Sequence, residues 1–260
     1  MPDAVRALVA ERIATFDHDW SRYRDDSLVA RIARQPGRHR LPADAGPLLA
    51  LYAELYAATR GRVSPLVGGA LAASGFGPRL AGVADAVPRW EDALAWDGEH
   101  LDTATPVALD VGAAGKGYLV DLVSGLLTDA GIARHVVDGS GDLRIRDVPM
   151  RIALEHPADP TKAVGVAEID GGALSASAGN RRRLADGRHH VLDAVTGLPV
   201  HEVVATWAVA DDDLTADGAA TALFFDVDPA WLERRRVRWV RMLSDGTLQA
   251  SPDFPGEVFR

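Results

Sequence analysis

Two oxygen-bearing side chains, Asp217 and Thr221, lie four residues apart in the segment LTADGAATALFF. On an α-helix this spacing places both side chains on one face. A carboxylate beside a hydroxyl offers hard oxygen ligands, which suit Mg²⁺ bound together with water and phosphate oxygens. A structural alternative is equally simple, because the helix dipole favours Asp217 near an N-terminus and Thr221 can bond to its own backbone. The segment alone favours this structural alternative.

A second candidate is the glycine-rich stretch LDVGAAGKGYLVD, which contains Lys116. It matches neither the Walker A loop nor GxGxxG. The pattern predicts a strand that ends at Asp110 and a helix over Gly117–Asp129 that stops at Gly131. The helix N-terminus offers free amides to an anion, and Lys116 adds a full charge. An anion site and a tight turn with a solvated lysine are about equally supported.

The third candidate is ASAGNRRRLADGRHHVLDAVTGLPV, in which His189 and His190 precede Asp193. A histidine that opens a strand beside an aspartate is either a general base or a structural residue, and the segment alone favours structure. Adjacent histidines on a strand point to opposite faces, so this pair is not a zinc pattern.

The elements that must position these segments are mixed helices and strands. Apolar residues recur at helical spacing in the first sixty residues, and Trp20 and Tyr23 are predicted to pack between those helices. From Arg62 onward, a glycine-rich uncharged segment precedes short alternating strands, and WVRMLSDGTLQASP predicts a terminal hairpin. Because no regular βαβ rhythm and no internal repeat occur, the order predicts an α+β fold.

Composition narrows the classes of function. The 260-residue chain has a formal net charge of −9, which disfavours nucleic acid and anionic membrane surfaces as partners. The chain has no cysteine, which removes disulfides, thiolate metal sites and cysteine nucleophiles. No stretch is long and apolar enough to span a membrane, and the first helix lacks the apolar core of a secretory signal. We therefore expect a cytoplasmic protein that neither binds nucleic acid nor inserts into a membrane.

Seven short motifs follow one another along the chain: Ser21-Arg22-Tyr23-Arg24, SPLVGGALAASGFGP, DVGAAGKGY, Ser140-Gly141-Asp142, Ser177-Ala178-Gly179, HVLDAVTG and ADGAAT. In this order they resemble the motifs of the ApbE family, the FAD:protein FMN transferases, over roughly residues 16–250. The combination is far more specific than any single motif. The resemblance implies one ApbE-like, T-fold-related domain over residues 1–260, with mixed and antiparallel sheets and packed helices.

The resemblance also implies an activity and a site. A Mg²⁺-dependent enzyme would take FAD as substrate, move its FMN moiety onto a threonine of an acceptor flavoprotein and release AMP. Asp217, Thr221 and the backbone carbonyl of Ala113 would bind the metal. His190 would take the proton of the incoming threonine, a role that suits a neutral imidazole. The residues assigned to FAD binding are Tyr23, Val63, Ser64, Asp110, Lys116 (near the diphosphate) and Val191.

The chain departs from the family pattern in several places. Ahead of its first helix, it has no counterpart of the Met-Gly-Thr strand that opens family members, which predicts that one wall of the site is open or replaced. Single-residue departures fall at Gly115, Ala178, Ala194 and Gly218.

Two other functions stay open. The same site could give FMN to water and split FAD into FMN and AMP, and the sequence does not separate these reactions because the acceptor is another protein. A non-catalytic flavin-binding relative is the third hypothesis. Such a relative should have lost at least one of Asp217, Thr221 and His190, and all three are present.

Overall fold

A computed structural model describes residues 1–180 and 189–259, so the middle of the third candidate segment lies outside the described residues. The helices of the described residues are α1 (Asp3–Trp20), α2 (Leu28–Arg34), α3 (Ala45–Ala58), α4 (Gly68–Ala73), α5 (Trp90–Ala93), α6 (Gly115–Asp129), α7 (Asp213–Ala222) and α8 (Pro229–Arg234), with a 3₁₀ turn at Pro65–Val67. The strands are β1 (Gly37–Arg40), β2 (Leu94–Trp96), β3 (His100–Thr103), β4 (His135–Asp138), β5 (Asp142–Arg146), β6 (Met150–His156), β7 (Asp159–Ile169), β8 (Gly172–Ala178), β9 (Leu192–Asp193), β10 (Leu198–Pro199), β11 (Val203–Ala210), β12 (Arg238–Leu243), β13 (Leu248–Ala250) and β14 (Gly256–Val258).

The largest sheet has six antiparallel strands in the order β13-β12-β11-β8-β5-β4. Smaller sheets have the orders β14-β7-β6, β1-β3-β2 and β10-β9. Within the large sheet, Asp142 of β5 pairs with Ser175 of β8. This register brings two motifs that are far apart in sequence onto neighbouring strands.

Strand β11 separates two hydrophobic cores. Its Ala208 and Ala210 pack into a core that includes residues of α1, α3, α6 and α7. Its Ala205, Trp207 and Val209 pack into a second core, which includes residues of β6 and β7. Because alternate residues of a strand point to opposite faces, one strand can serve both cores. The large sheet is therefore covered by helices on one face and by the β14-β7-β6 sheet on the other.

Helices α6 and α7 approach each other closely at Gly117. A Cβ atom at this position would lie 2.2 Å from the carbonyl oxygen of Asp213, so a larger residue would push the helices apart. Helix α7 is capped by Asp212, whose side chain accepts a hydrogen bond from the N–H of Thr215 at 2.7 Å. The close approach places the first turn of α6 beside Asp217.

The α+β class is confirmed, as is the terminal hairpin, which β12 and β13 form. Helix α6 begins two residues earlier than predicted and ends at Asp129, followed by Gly131 with φ +80°. Trp20 is buried, as predicted for a residue packed between helices. No helix of the described residues is long and apolar enough to cross a membrane.

Two predictions of secondary structure are wrong. The segment that leads to Asp110 is not a strand, because its backbone bonds to the 3₁₀ turn instead of a ladder: the N–H of Asp110 donates to the Pro65 carbonyl at 2.7 Å. Its apolar side chains are buried in the helix-lined core, and burial alone explains the apolar run. The first sixty residues are not all helical either, because β1 lies among them and pairs with β3. The polar sequence GRHR carries no strand pattern.

Candidate active site

A cavity of about 720 Å³ lies between the start of α6, one face of α7, the segment around residue 63 and the end of β8. Its lining includes all ten residues that the sequence assigned to a site: Tyr23, Val63, Ser64, Asp110, Ala113, Lys116, His190, Val191, Asp217 and Thr221. These residues come from five separate stretches of the chain. The fold therefore brings together residues that the sequence connected only through resemblance.

The three predicted metal ligands share one part of the cavity. The hydroxyl of Thr221 donates to the carbonyl oxygen of Ala113 at 3.3 Å, across 108 positions of sequence. Asp217 lies one turn earlier on α7 and is only 5% exposed. The structural alternative for Thr221, a bond to its own helix, is wrong, because the hydroxyl bonds to the loop before α6.

The chemistry of these ligands fits Mg²⁺. A carboxylate, a hydroxyl and a carbonyl are hard oxygen donors, and three protein ligands leave positions for water and phosphate oxygens. Within residues 1–180 and 189–259, no group of three or more His, Cys, Asp and Glu side chains is arranged to hold a metal. Among the three predicted ligands, Asp217 supplies the one carboxylate, and Thr221 and the Ala113 carbonyl supply neutral oxygens.

The first turn of α6 anchors the Asp217 side chain. Its Oδ2 accepts a hydrogen bond from the N–H of Gly117 at 2.9 Å. Burial raises the pKa of Asp217 well above its ordinary value, and the nearby Asp142 carboxylate raises this pKa further. The Gly117 amide and the Lys116 ammonium act in the opposite direction on the same pKa. A cation bound at Asp217 would likewise favour the ionised carboxylate.

Lys116 forms an ion pair and is only partly solvated, although the tight turn of the structural alternative is present at residues 112–114. Its Nζ lies 2.7 Å from Oδ2 of Asp142, whose side chain is completely buried. The same ammonium donates to the carbonyl oxygen of Ser140 at 3.4 Å. The Lys116 side chain is 45% exposed, so the ammonium is held at the cavity wall. Asp142 was not among the predicted site residues, although it lies in one of the seven motifs.

Asp110 belongs to a charged pair inside the site. Its Oδ2 accepts a hydrogen bond from Nε of Arg22, and its Oδ1 accepts one from the N–H of Gly112 at 2.8 Å. Arg22 is buried and also donates to the hydroxyl of Tyr23 at 3.2 Å. Tyr23 is 61% exposed at the cavity, so its predicted packing between helices is wrong. Arg22 was missed, and its only signal was its place beside Tyr23 in the first motif.

The two adjacent histidines have different surroundings. His190 lines the cavity, and its ring packs edge-on against Phe76 with centroids 6.4 Å apart. His189 is buried, with Nε2 against the carbonyl oxygen of Val200 and Nδ1 accepting from the N–H of Val191. The structure thus separates a cavity histidine from a structural one.

Two surfaces within the lining differ in polarity. We call Asp110, Ala113, Lys116, Asp217 and Thr221 the polar wall. We call Val63, Val67, Leu71, Phe76, Val191 and Leu192 the apolar wall. Beside the apolar wall, the hydroxyl of Ser64 accepts a hydrogen bond from the N–H of Leu66 at 3.2 Å and caps the 3₁₀ turn.

Comparison with known proteins identifies a family and several relatives of this chain. The sequence profile described as the ApbE family matches residues 3–238. The chain belongs to the ApbE family. It is 28% identical to the FAD:protein FMN transferase of Rhodobacter capsulatus over 273 residues, which cover 95% of this chain and 52% of that protein. It is also 28% identical to the FAD:protein FMN transferase of Klebsiella pneumoniae, with 85% of this chain and 71% of the relative covered. The chain thus spans about half the length of the R. capsulatus relative.

Solved structures of ApbE proteins share this fold. The flavin transferase ApbE from Vibrio cholerae superimposes with a TM-score of 0.83 at 23% identity, covering 98% of this chain and 90% of that one. The apbe protein from Thermotoga maritima gives a TM-score of 0.84 at 21% identity, covering 98% and 92%. The described architecture is therefore the ApbE fold.

Proposed function

We propose that this chain is a Mg²⁺-dependent FAD:protein FMN transferase, which transfers FMN from FAD to a threonine of an acceptor flavoprotein and releases AMP. The observation that carries the proposal is the meeting of ten predicted site residues in one cavity. Membership of the ApbE family and two relatives that bear this name support the same activity.

The size and lining of the cavity support FAD as the ligand. Its volume of about 720 Å³ falls within the usual range for small-molecule sites. The apolar wall suits a planar heterocycle, whose burial is favoured by the hydrophobic effect. The polar wall suits the diphosphate, because the Lys116 ammonium can offset its negative charge.

The transfer itself is a displacement at phosphorus. His190 takes the proton of the acceptor threonine hydroxyl, and the threonine oxygen forms a bond to the phosphorus of the FMN phosphate. The bond from that phosphorus to the bridging oxygen breaks, and AMP leaves with the bridging oxygen. Lys116 offsets the charge that develops on the diphosphate oxygens. Asp217, Thr221 and the Ala113 carbonyl would hold Mg²⁺, which supplies Lewis-acid charge stabilisation when bound.

The cellular setting belongs to the same proposal. The acceptor is a flavoprotein that carries the target threonine, and the cytoplasmic location predicted from the sequence stays a prediction. The single-domain organisation over residues 1–260 and the exclusion of nucleic acid also stay predictions.

The test is to incubate purified protein with FAD and Mg²⁺, with and without an acceptor flavoprotein, and to measure both AMP and covalent flavin. We expect AMP release to match flavin attachment, and to stop when the acceptor threonine is replaced by valine or EDTA is added. Brisk AMP release without acceptor, and no covalent flavin with it, would instead identify an FAD hydrolase. No AMP in either reaction would identify a non-catalytic relative.

A further inference from the structure

A buried carboxylate lies behind the polar wall. Asp142 begins β5 and has no exposed surface, although it does not line the cavity. Its Oδ2 lies 2.7 Å from Nζ of Lys116, which joins the start of β5 to the first turn of α6. A buried charge is costly unless it is paired, so this contact strongly constrains the position of the ammonium.

Lys116 has a second anionic neighbour. Asp217 accepts a hydrogen bond from the N–H of Gly117, the residue that follows Lys116. The charges of Lys116 and Asp142 both act on Asp217, in opposite directions. The ammonium therefore lies within electrostatic reach of two carboxylates, and the structure shows it paired with Asp142.

The choice of partner has a consequence for the site. If the ammonium paired with Asp217, it would occupy the position that a bound cation needs, because both would compete for one carboxylate. Paired with Asp142, it stays at the cavity wall and leaves Asp217 to the oxygen cluster around Thr221 and Ala113.

We propose that Asp142 is a positioning residue that holds the Lys116 ammonium toward the diphosphate of FAD and away from Asp217, so that Asp217 is available to Mg²⁺. The inference rests on the proposed function. It differs from a purely structural role, in which Asp142 would only join β5 to α6. A structural role predicts a general loss of stability, whereas positioning predicts a loss of metal binding that a second substitution reverses.

The experiment compares Asp142→Asn, Lys116→Met and the double variant with the unmodified chain. Calorimetry measures the affinity for Mg²⁺ in the absence of FAD, and flavin fluorescence in EDTA measures the affinity for FAD without metal. We expect Asp142→Asn to weaken Mg²⁺ binding by about tenfold or more, because the freed ammonium moves to Asp217. In the double variant, removal of that ammonium should return Mg²⁺ affinity to within about threefold of the unmodified chain.

The FAD measurement follows a different pattern. Lys116→Met should weaken FAD binding by about tenfold while leaving Mg²⁺ affinity within about threefold. The double variant should bind FAD no better than Lys116→Met. Asp147→Asn is the matched control, because it removes one negative charge from an exposed residue just after the other end of β5 and outside the cavity lining. It should leave Mg²⁺ affinity unchanged.

The outcomes separate this inference from the proposed function. An unmodified chain that binds neither FAD nor Mg²⁺ would refute the proposed function itself. If the unmodified chain binds both, unchanged Mg²⁺ affinity in Asp142→Asn overturns the positioning role, and so does a double variant as weak as Asp142→Asn. If circular dichroism shows that Asp142→Asn is unfolded, Lys116→Met decides alone: retained FAD affinity or lost Mg²⁺ affinity overturns the inference.

Discussion

The polar wall and the apolar wall of the cavity are built by different kinds of contact. In the polar wall, Asp217 bonds to Gly117 across 100 positions of sequence, and Thr221 bonds to Ala113 across 108. In the apolar wall, Leu71 and Leu192 form a small cluster with Ala70, close to the 3₁₀ turn that Ser64 caps. The contribution of the polar wall to ligand binding should depend on the positions of single charges. The contribution of the apolar wall should depend on the apolar area that a ligand covers. We therefore expect the largest effects of substitution in the polar wall and smaller, graded effects in the apolar wall.

The largest effect is expected at Asp217. Asp217→Ala removes the only carboxylate among the three predicted metal ligands, so Mg²⁺-dependent AMP release should fall by about 10³-fold or more. The fold should remain intact, as judged by circular dichroism and Tm. Asp217→Asn is the matched variant, since it keeps the shape and removes the charge, and it should lose nearly as much. An unchanged rate in either variant would refute the metal assignment.

His190→Ala should have the next largest effect. Loss of a general base lowers the rate by about 10²–10⁴-fold, and we expect this loss in kcat for flavin transfer. FAD affinity, measured by flavin fluorescence, should change much less. His189→Ala is the control: the buried His189 bonds to the Val200 carbonyl, so its loss should lower Tm. If His189→Ala lowered kcat as much as His190→Ala while remaining folded, the distinction between the two histidines would fail.

In the apolar wall, Val67→Ala should give a graded effect. The substitution removes two methyl groups from the cavity lining, and each buried methylene is worth about 0.8 kcal/mol. We expect the KM for FAD to rise by about three- to tenfold, with the Mg²⁺ requirement unchanged. Val195→Ala is the control, because Val195 is an exposed residue outside the cavity lining. A changed Mg²⁺ requirement in Val67→Ala would show that the two walls are not independent.

The smallest effect is expected outside both walls, at Asp97. The N–H groups of His100 and Glu99 hold the pKa of this exposed carboxylate at about 2. Because this folded-state pKa lies below that of the unfolded chain, the stabilisation is present above about pH 4 and is lost as pH falls through about 2. Asp97→Asn should therefore lower Tm slightly at neutral pH, and the Tm curves of both proteins should converge in acid. Parallel curves down to pH 2 would contradict the assignment.

The sequence predicted the members of the site far better than their partners. Asp217, Thr221 and Lys116 could be found because their motifs occur in a specific order. Arg22 and Asp142 lie in the same motifs, but they act through contacts with Asp110 and Lys116 that only the tertiary structure reveals. A charged residue in a motif gives no sign of whether it faces a ligand or holds a neighbour.

The two predictions of secondary structure failed for a related reason. The apolar run before Asp110 resembles a strand, yet the same pattern arises in a segment without regular secondary structure that is buried among helices. Strand β1 had the opposite problem, because its side chains are mostly exposed. Its pairing with β3 combines backbone bonds with an ion pair between Arg38 and Asp102, which no apolar pattern in the sequence indicates. The periodicity of apolar residues indicates which side chains are buried, and side-chain burial is only indirectly related to the pairing of strands.

The close approach at Gly117 has a consequence for engineering this pocket. The backbone N–H of this residue orients Asp217, and a Cβ here would lie 2.7 Å from the Asp217 Cβ as well as against the Asp213 carbonyl. Any side chain at this position would displace the Asp217 carboxylate through its Cβ atom alone, whatever functional group the side chain carries. Mutagenesis of this pocket can therefore change residues of the apolar wall with graded effects, but at Gly117 every alternative amino acid displaces Asp217 in the polar wall.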